Sequence, residues 1–453
     1  NLVPMEFEWF RSRVYRNPNA EGSAAAWKTL TGRDSNKQLG YVAEGMRAGA
    51  VQLTKGSGSA AYAVWGVEDS YTQESSSRGA SLFQSPGGIK DLCISNLMQT
   101  FATKEERILT FANRDVALGT PAAPTGVAAS GGTLAADDYW AVVVALTADG
   151  KYLASSTMAT GITKQQAVTS LVGETYNLNA GCSKRGTDSL AVASSGSQKI
   201  TWSIAAVKGA VAYAWYIGKN TTTIPADTAL YLHAITYVNQ YECTAYATSG
   251  QALSAVALST TDWSKEDTYA PGGIFYQALA SSDCYYLSLD NAALTMTNGI
   301  IDQINAMFLS MFNTQGVGPE ALHMSPLTYA FILGLAFSSS NPRVMFIIEE
   351  NVSSTGLTLG GSVKGIRNPY TGGVAEVVVN PNMPDSMIFA ARLTYAVPST
   401  PSPRSVEVET FGGLWRVDWQ PTTRKFTHGA YMQGAIKLYV PGCFGVISNI
   451  DIS

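Results

Sequence analysis

From Pro369 to Arg392 the hydrophobic pattern reads as an extended run, a sharp turn and a second extended run. Val374, Val377, Val378 and Val379 are β-branched, as a pleated, half-buried strand prefers. Asn380-Pro381-Asn382-Met383-Pro384-Asp385 stops that strand, because proline lacks the N–H a ladder needs and Asn and Asp favour turns. Met387, Ile388, Phe389 and Ala390 restart the extended pattern. Pro381 and Pro384 stiffen the turn, which reads either as a surface loop whose prolines only stop strand growth or as a rigid loop that places Pro381, Asn382 and Pro384 at or near a symmetric subunit contact.

Two stretches carry the helical period. Ile89, Leu92, Cys93, Leu97, Phe101, Ile108 and Leu109 predict a helix over 86–112. Pro86 suits its first turn, and Lys104, Glu105, Glu106 and Arg107 are expected on its exposed side. Ile300, Ile301, Ile304, Met307, Phe308, Met311 and Phe312 share a second helical face. Thr297 is placed to cap that helix and Asn313-Thr314-Gln315-Gly316 to end it. Residues 319–324 read as a short strand, with Ser325-Pro326 as cap and first residue of the next helix.

The remaining pattern is extended. Val51 and Leu53, then Tyr62, Val64, Trp65 and Val67, predict a long hairpin turned at Lys55-Gly56-Ser57-Gly58-Ser59. Residues 119–126 form a Pro/Gly linker, followed by a strand over 139–146 turned at Asp149-Gly150, an alternating run over 199–207 and a strand over 209–217. Short strands at regular turn spacing predict a β-sandwich over 119–258. Val344 to Ile348, a Gly-rich loop through Gly356, Gly360 and Gly361, and the runs of 404–450 complete the β content. Residues 1–35 mix Phe7, Trp9, Phe10, Val14 and Tyr15 with Glu6, Glu8, Arg11, Arg13 and Arg16 without a clean stripe. They read either as an arm wrapping a neighbouring subunit or as a segment packed on their own domain.

Composition narrows the classes. The chain has 453 residues, enough for two or three domains and a large core. Only 14% are charged and the net charge is −4, which argues against a nucleic-acid reader with a basic face. Cys93, Cys182, Cys243, Cys284 and Cys443 are scattered, which fits a reducing compartment. His233, His323 and His428 lie far apart, unlike zinc ligands, and read as ordinary structural or surface histidines. No apolar run reaches the roughly 18 residues of a membrane span. No phosphate-binding glycine loop, dinucleotide fingerprint or nucleophile elbow occurs. The pairs Asp137-Asp138 and Glu349-Glu350 read as solvated carboxylates. No catalytic, cofactor-binding or metal-binding residue is nominated.

The serial order of these stretches resembles the major capsid proteins of tailed bacteriophages, the Hong Kong 97-type fold shared with encapsulin shells. The strand, N-P-x-x-P-x, strand pattern at 374–390 resembles the close of that family's axial domain, and the helix, short strand, Ser-Pro, helix series at 300–330 resembles its interior. The resemblance spans about residues 36–118 and 259–450; the 119–258 segment between them resembles immunoglobulin-like and fibronectin type III modules. It implies an α+β subunit: an N-terminal arm (1–35), an extended loop (36–85), a spine helix with peripheral domain (86–118), the insertion (119–258), an axial domain with peripheral segments (259–403) and C-terminal peripheral strands (404–453). It tips the reading of 1–35 toward an arm, with Trp9 and Phe10 buried against another subunit. It also implies a start at Asn1 left by processing.

The function so implied is a capsid subunit that assembles into hexamers and pentamers of an icosahedral shell around double-stranded DNA, without sequence-specific binding, a cofactor or a membrane. Its partners would be a portal and cementing or decoration proteins, and its place the virion, after assembly in the host cytoplasm. Some members of the family join subunits by a Lys–Asn isopeptide bond, but no pair is nominated here. The alternative is a secreted or surface-exposed adhesin-like binding protein built around the sandwich. A glycoside hydrolase comes third, since no placed carboxylate pair is visible.

Overall fold

A computed structural model describes residues 8–32, 41–49, 54–75, 88–155, 157–256, 258, 260–338, 346–353, 356–395, 404–419 and 424–452. Pro86, Val51, Leu53 and Val344 lie outside the described residues. The architecture is α+β, with three larger sheets joined around one long helix.

Helix α1 (Trp9–Arg13) and strand β1 (Tyr15–Asn17) come first, and β1 pairs in parallel with β20 (Val406–Thr410). Strands β2 (Ala24–Gly32) and β3 (Thr54–Ala61) form the extended hairpin. The Gly-Ser stretch expected to turn is therefore part of a strand. Gly58 makes room for an indole: a Cβ there would lie 2.4 Å from the Trp27 ring. Trp27 Nε1 in turn donates to the Leu438 carbonyl at 2.8 Å, tying the hairpin to the body. Residues 62–67, expected as the second arm of that hairpin, instead enter β4 (Ala63–Thr72).

Strand β4 pairs with β22 (Lys425–Leu438) from Ala63↔Gly434 to Thr72↔Lys425. Along the other edge of β22, β20 and β21 (Trp415–Trp419) lie end to end. Helix α2 (Gly88–Phe111) runs 24 residues and buries Leu97, Phe101, Leu109 and Phe111. Glu105 and Glu106, expected on its exposed side, are fully buried.

Within 119–258 the described residues form one five-stranded sheet in the order β10-β9-β5-β8-β11, not the two packed sheets of a sandwich. These strands are β5 (Thr125–Leu146), β8 (Val192–Ser203), β9 (Ala212–Lys219), β10 (Tyr231–Thr236) and β11 (Gln240–Cys243). A separate hairpin joins β6 (Gln165–Thr169) to β7 (Thr175–Asn179). The unbroken run Ala141–Leu146 reflects burial on both faces: Ala141, Val143 and Ala145 pack with Trp202 and Trp215, while Val142, Val144 and Leu146 pack with Tyr216 and Leu232. Cys182 and Cys243 belong to clusters on opposite faces and are free thiols. Asp149-Gly150 lies inside the short helix α3 (Ala148–Leu153), where Gly150 N donates to Thr147 Oγ1, so it is no hairpin turn. Helix α4 (Leu253–Val256) ends the segment.

The third sheet has seven strands in the order β12-β23-β19-β15-β18-β17-β16. They are β12 (Tyr285–Ala292), β15 (Ala321–Met324), β16 (Phe346–Ser353), β17 (Gly356–Arg367), β18 (Val374–Val379), β19 (Ile388–Ala391) and β23 (Gly445–Ile450). The two strands flanking the proline turn do not pair with each other. Strand β15 lies between them, parallel to β18 and antiparallel to β19. The Gly-rich stretch after residue 356 is strand, paired with β16.

Helix α5 (Ile274–Ala280) precedes this sheet, and α6 (Asp302–Gln315) and α7 (Pro326–Ser338) cover one of its faces. Ile300 and Ile301 form β14, paired with β13 (Met296–Thr297), so α6 starts later than expected. Thr297 does not cap it; its hydroxyl donates to the Asp302 carboxylate at 2.9 Å. Gly316 ends α6 in the left-handed region at φ 70°, and Ser325 caps α7 by accepting from Thr328 N at 3.2 Å.

Candidate assembly surfaces

The N-terminal segment is held by two adjacent carboxylates of α2. Glu8, before α1, makes no side-chain cap bond. Glu106 supplies the missing acceptor, taking Phe10 N at 3.0 Å and Arg11 N at 2.7 Å. Glu105 accepts from Arg11 Nε at 2.7 Å and Arg16 Nη1 at 2.8 Å. Burial is the main force pushing the Glu106 carboxyl up to about 7, opposed by the two backbone donors. The signal in the sequence was a Glu-Glu pair on one helix and Arg11 and Arg16 on a distant segment. It was missed because adjacent charges were assigned to solvent.

Trp9 and Phe10 sit in the core of their own chain, at 8% and 0% exposure. This corrects the expectation that they bury against another subunit. Apolar residues of the odd register on β15 and β19 face away from α6 and α7, and α1 covers them. Phe10 stacks on His323 at 4.6 Å between ring centroids, Trp9 meets His323 edge-on at 4.4 Å, and Phe389 lies beside the stack, 6.3 Å from both the Phe10 and His323 rings. Arg13 lies 4.6 Å over the Trp9 ring and pairs with Glu376. His323 is fully buried, and burial, then Arg13, pushes its pKa down to about 3. It is a neutral core histidine.

The proline turn divides in two. Pro381 is exposed and Asn382 half-buried, so both can meet a second chain; Met383 and Pro384 are buried. Pro384 therefore serves its own domain, which corrects its placement at a contact. Asn380 anchors the turn: its N–H donates to the Met324 carbonyl at 2.8 Å and its Oδ1 accepts from Asn382 N at 2.8 Å. Large apolar side chains are open on the helices that cover the third sheet: Leu309 and Phe312 on α6 at 39% each, and Leu327 on α7 at 54%. Phe312, expected on the core face, stacks instead on Tyr370 at 6.3 Å.

Among the described residues, no group of three or more His, Cys, Asp and Glu side chains gathers as a metal set, and no helix is long and apolar enough to cross a membrane. His428 donates or accepts at Nδ1 with Asp418 Oδ1, 2.6 Å away, far in sequence from His323 and His233.

No family model matches the chain, and no curated protein matches it. Solved structures similar to it include the holo-SrpI encapsulin complex of Synechococcus elongatus PCC 7942, at 7% identity and TM-score 0.42, covering 100% of this chain and 90% of that chain. The capsid of Myoviridae phage XM1 is 7% identical with TM-score 0.40, over 99% of this chain and 97% of that chain. The capsid of an empty GTA particle is 8% identical with TM-score 0.40, over 99% and 92%. Along its length the chain is similar to solved capsid and encapsulin structures.

Proposed function

We propose that this chain is the subunit of a closed protein shell, a major capsid protein of the Hong Kong 97-like type. The observation that carries the reading is the arrangement around α2. One long helix holds the N-terminal segment through Glu105 and Glu106, lies beside the β4–β22 sheet and packs α5. An extended hairpin, β2–β3, leads into it, and the seven-stranded layer follows with the proline turn at one end. Each copy is a set of rigid layers with open apolar residues at α6 and α7, which suits contacts repeated by symmetry.

In this reading the shell is built of hexamers and pentamers and encloses double-stranded DNA. The net charge of −4 gives the subunit no general attraction for phosphate, so it holds DNA by enclosure. A portal and decoration proteins complete the virion, assembled in the host cytoplasm. Nuclease protection tests the enclosure: DNA in purified particles survives nuclease and becomes sensitive once the particles are disrupted. Free subunits that retard DNA strongly at physiological salt would contradict it.

A further inference from the structure

The ribbon formed by β4, β22 and β21 ends in an edge strand with an unusual sequence. Among the described residues no strand pairs with the outer edge of β21, and its pattern is Trp415-Arg416-Val417-Asp418-Trp419. Trp415, Val417 and Trp419 share one face. The two indoles are 36% and 38% exposed and flank Tyr431, with ring centroids 6.4 Å and 6.2 Å from it. A Cβ at Gly429 would lie 2.6 Å from the Trp419 and Tyr431 rings, so the glycine leaves room for Trp419 to meet Tyr431 edge-on. The Tyr431 hydroxyl donates to Glu68, fixing its ring. On the opposite face Arg416 grips Asp418 through two bonds of 2.9 Å, and both side chains are open to solvent at 39% and 56%.

Such an edge is a template for another strand. The five residues are complementary to their own reversal. An antiparallel copy centred on Val417 sets Trp415 against Trp419, Arg416 against Asp418 and Val417 against itself. Directly opposed residues lie on one face, so the aromatic strip continues across the join and each cation meets an anion.

We propose that β21 is a two-fold contact in which a second copy of this chain adds its own β21 to the edge, in the register Val417↔Val417. The partner is fixed by charge complementarity, since a one-residue slip would set Arg416 opposite Val417 and turn the tryptophans to opposite faces. The contact is isologous and needs only two copies, whether or not copies go on to close a shell.

The test uses the full chain carrying Cys93→Ser, which removes the half-buried native thiol; the other four cysteines are buried. Under mild oxidation Val417→Cys should give a disulfide-linked dimer. Trp415→Cys alone and Trp419→Cys alone should not, because each residue lies about 14 Å from its own copy in this register. A mixture of the Trp415→Cys and Trp419→Cys proteins should link. Adding Arg416→Asp to Val417→Cys should cut the dimer yield at least tenfold, and Arg416→Asp with Asp418→Arg should restore it. No Val417→Cys dimer, or equal dimer from Trp415→Cys alone, would overturn the pairing, as would a strand of another protein found on this edge. Particles that form without the Val417 link overturn this contact and leave the shell reading standing. A Val417-linked dimer that never builds particles supports this contact and counts against the shell.

Discussion

His323 stacks face to face on Phe10, with 4.6 Å between ring centroids and 26° between planes, and neither ring nitrogen has a hydrogen-bond partner among the described residues. The imidazole must stay neutral for α1 to remain seated, because a charged ring here would be buried without an anion. Its pKa is lowered from 6.5 to about 3, so its contribution is present above pH 6.5 and is lost as pH falls toward 3.

The expected outcome concerns acid stability. Between pH 6.5 and 5 this histidine should cost the wild-type subunit about 2 kcal/mol, and His323→Leu should remove that loss. Urea unfolding of isolated subunits at several pH values reads it. Parallel pH profiles for the two proteins would contradict the buried neutral imidazole.

Glu106 works in the opposite direction. Its pKa is raised from 4.5 to about 7, so the stability it contributes as the acid is present below pH 4.5 and lost as pH rises to 7. Relative to wild type, Glu106→Gln should gain up to about 3 kcal/mol across that window, on top of a constant offset from one lost acceptor. The same titration measures it, and a difference that does not change with pH would rule out the shifted carboxyl. Because the two groups oppose each other from about pH 4.5 to 6.5, wild type should show a flatter profile than either variant.

Removing the aromatic anchors should harm the subunit itself. Trp9→Ala and Phe10→Ala should each cost about 3–5 kcal/mol of subunit stability. Glu105→Ala, which leaves Arg16 without its carboxylate and Arg11 with Glu8 alone, should cost less, about 1–3 kcal/mol. Limited proteolysis should then cut within 8–17 in subunits that are otherwise folded. Unchanged unfolding midpoints would return Trp9 and Phe10 to an intersubunit role.

The hairpin offers a separate check. Gly58→Val should displace Trp27 and weaken the docking of β2–β3 on Leu438, by about 1–3 kcal/mol. Faster hydrogen exchange over 24–32 and 54–61, with β22 unaffected, is the expected signature. Uniform exchange across the chain would mean the hairpin is no separate unit.

These sites show where the sequence was legible. The helix 88–111, the Ser325 cap and the Gly316 stop were readable because periodicity and cap chemistry are local. Failures came where a distant partner decided the outcome. Gly56 and Gly58 signalled a turn, yet both lie within a strand, where Trp27 needs the open face of Gly58. Glu105 and Glu106 signalled solvent, yet arginines and backbone donors from the N-terminal segment cover them. Strands β18 and β19 were readable as strands, but no local feature placed β15 between them. The short strands at regular turn spacing that suggested a sandwich are equally produced by one sheet buried on both faces.

The central claim is that copies of this chain close into a shell. Electron microscopy of the purified full chain tests it most directly. The account predicts closed particles of uniform diameter, or capsomers of five and six copies, with the β2–β3 hairpin and the Pro381 turn at contacts between copies. A persistent monomer at every concentration and salt condition tried, with α1 seated and all three sheets folded, would contradict it.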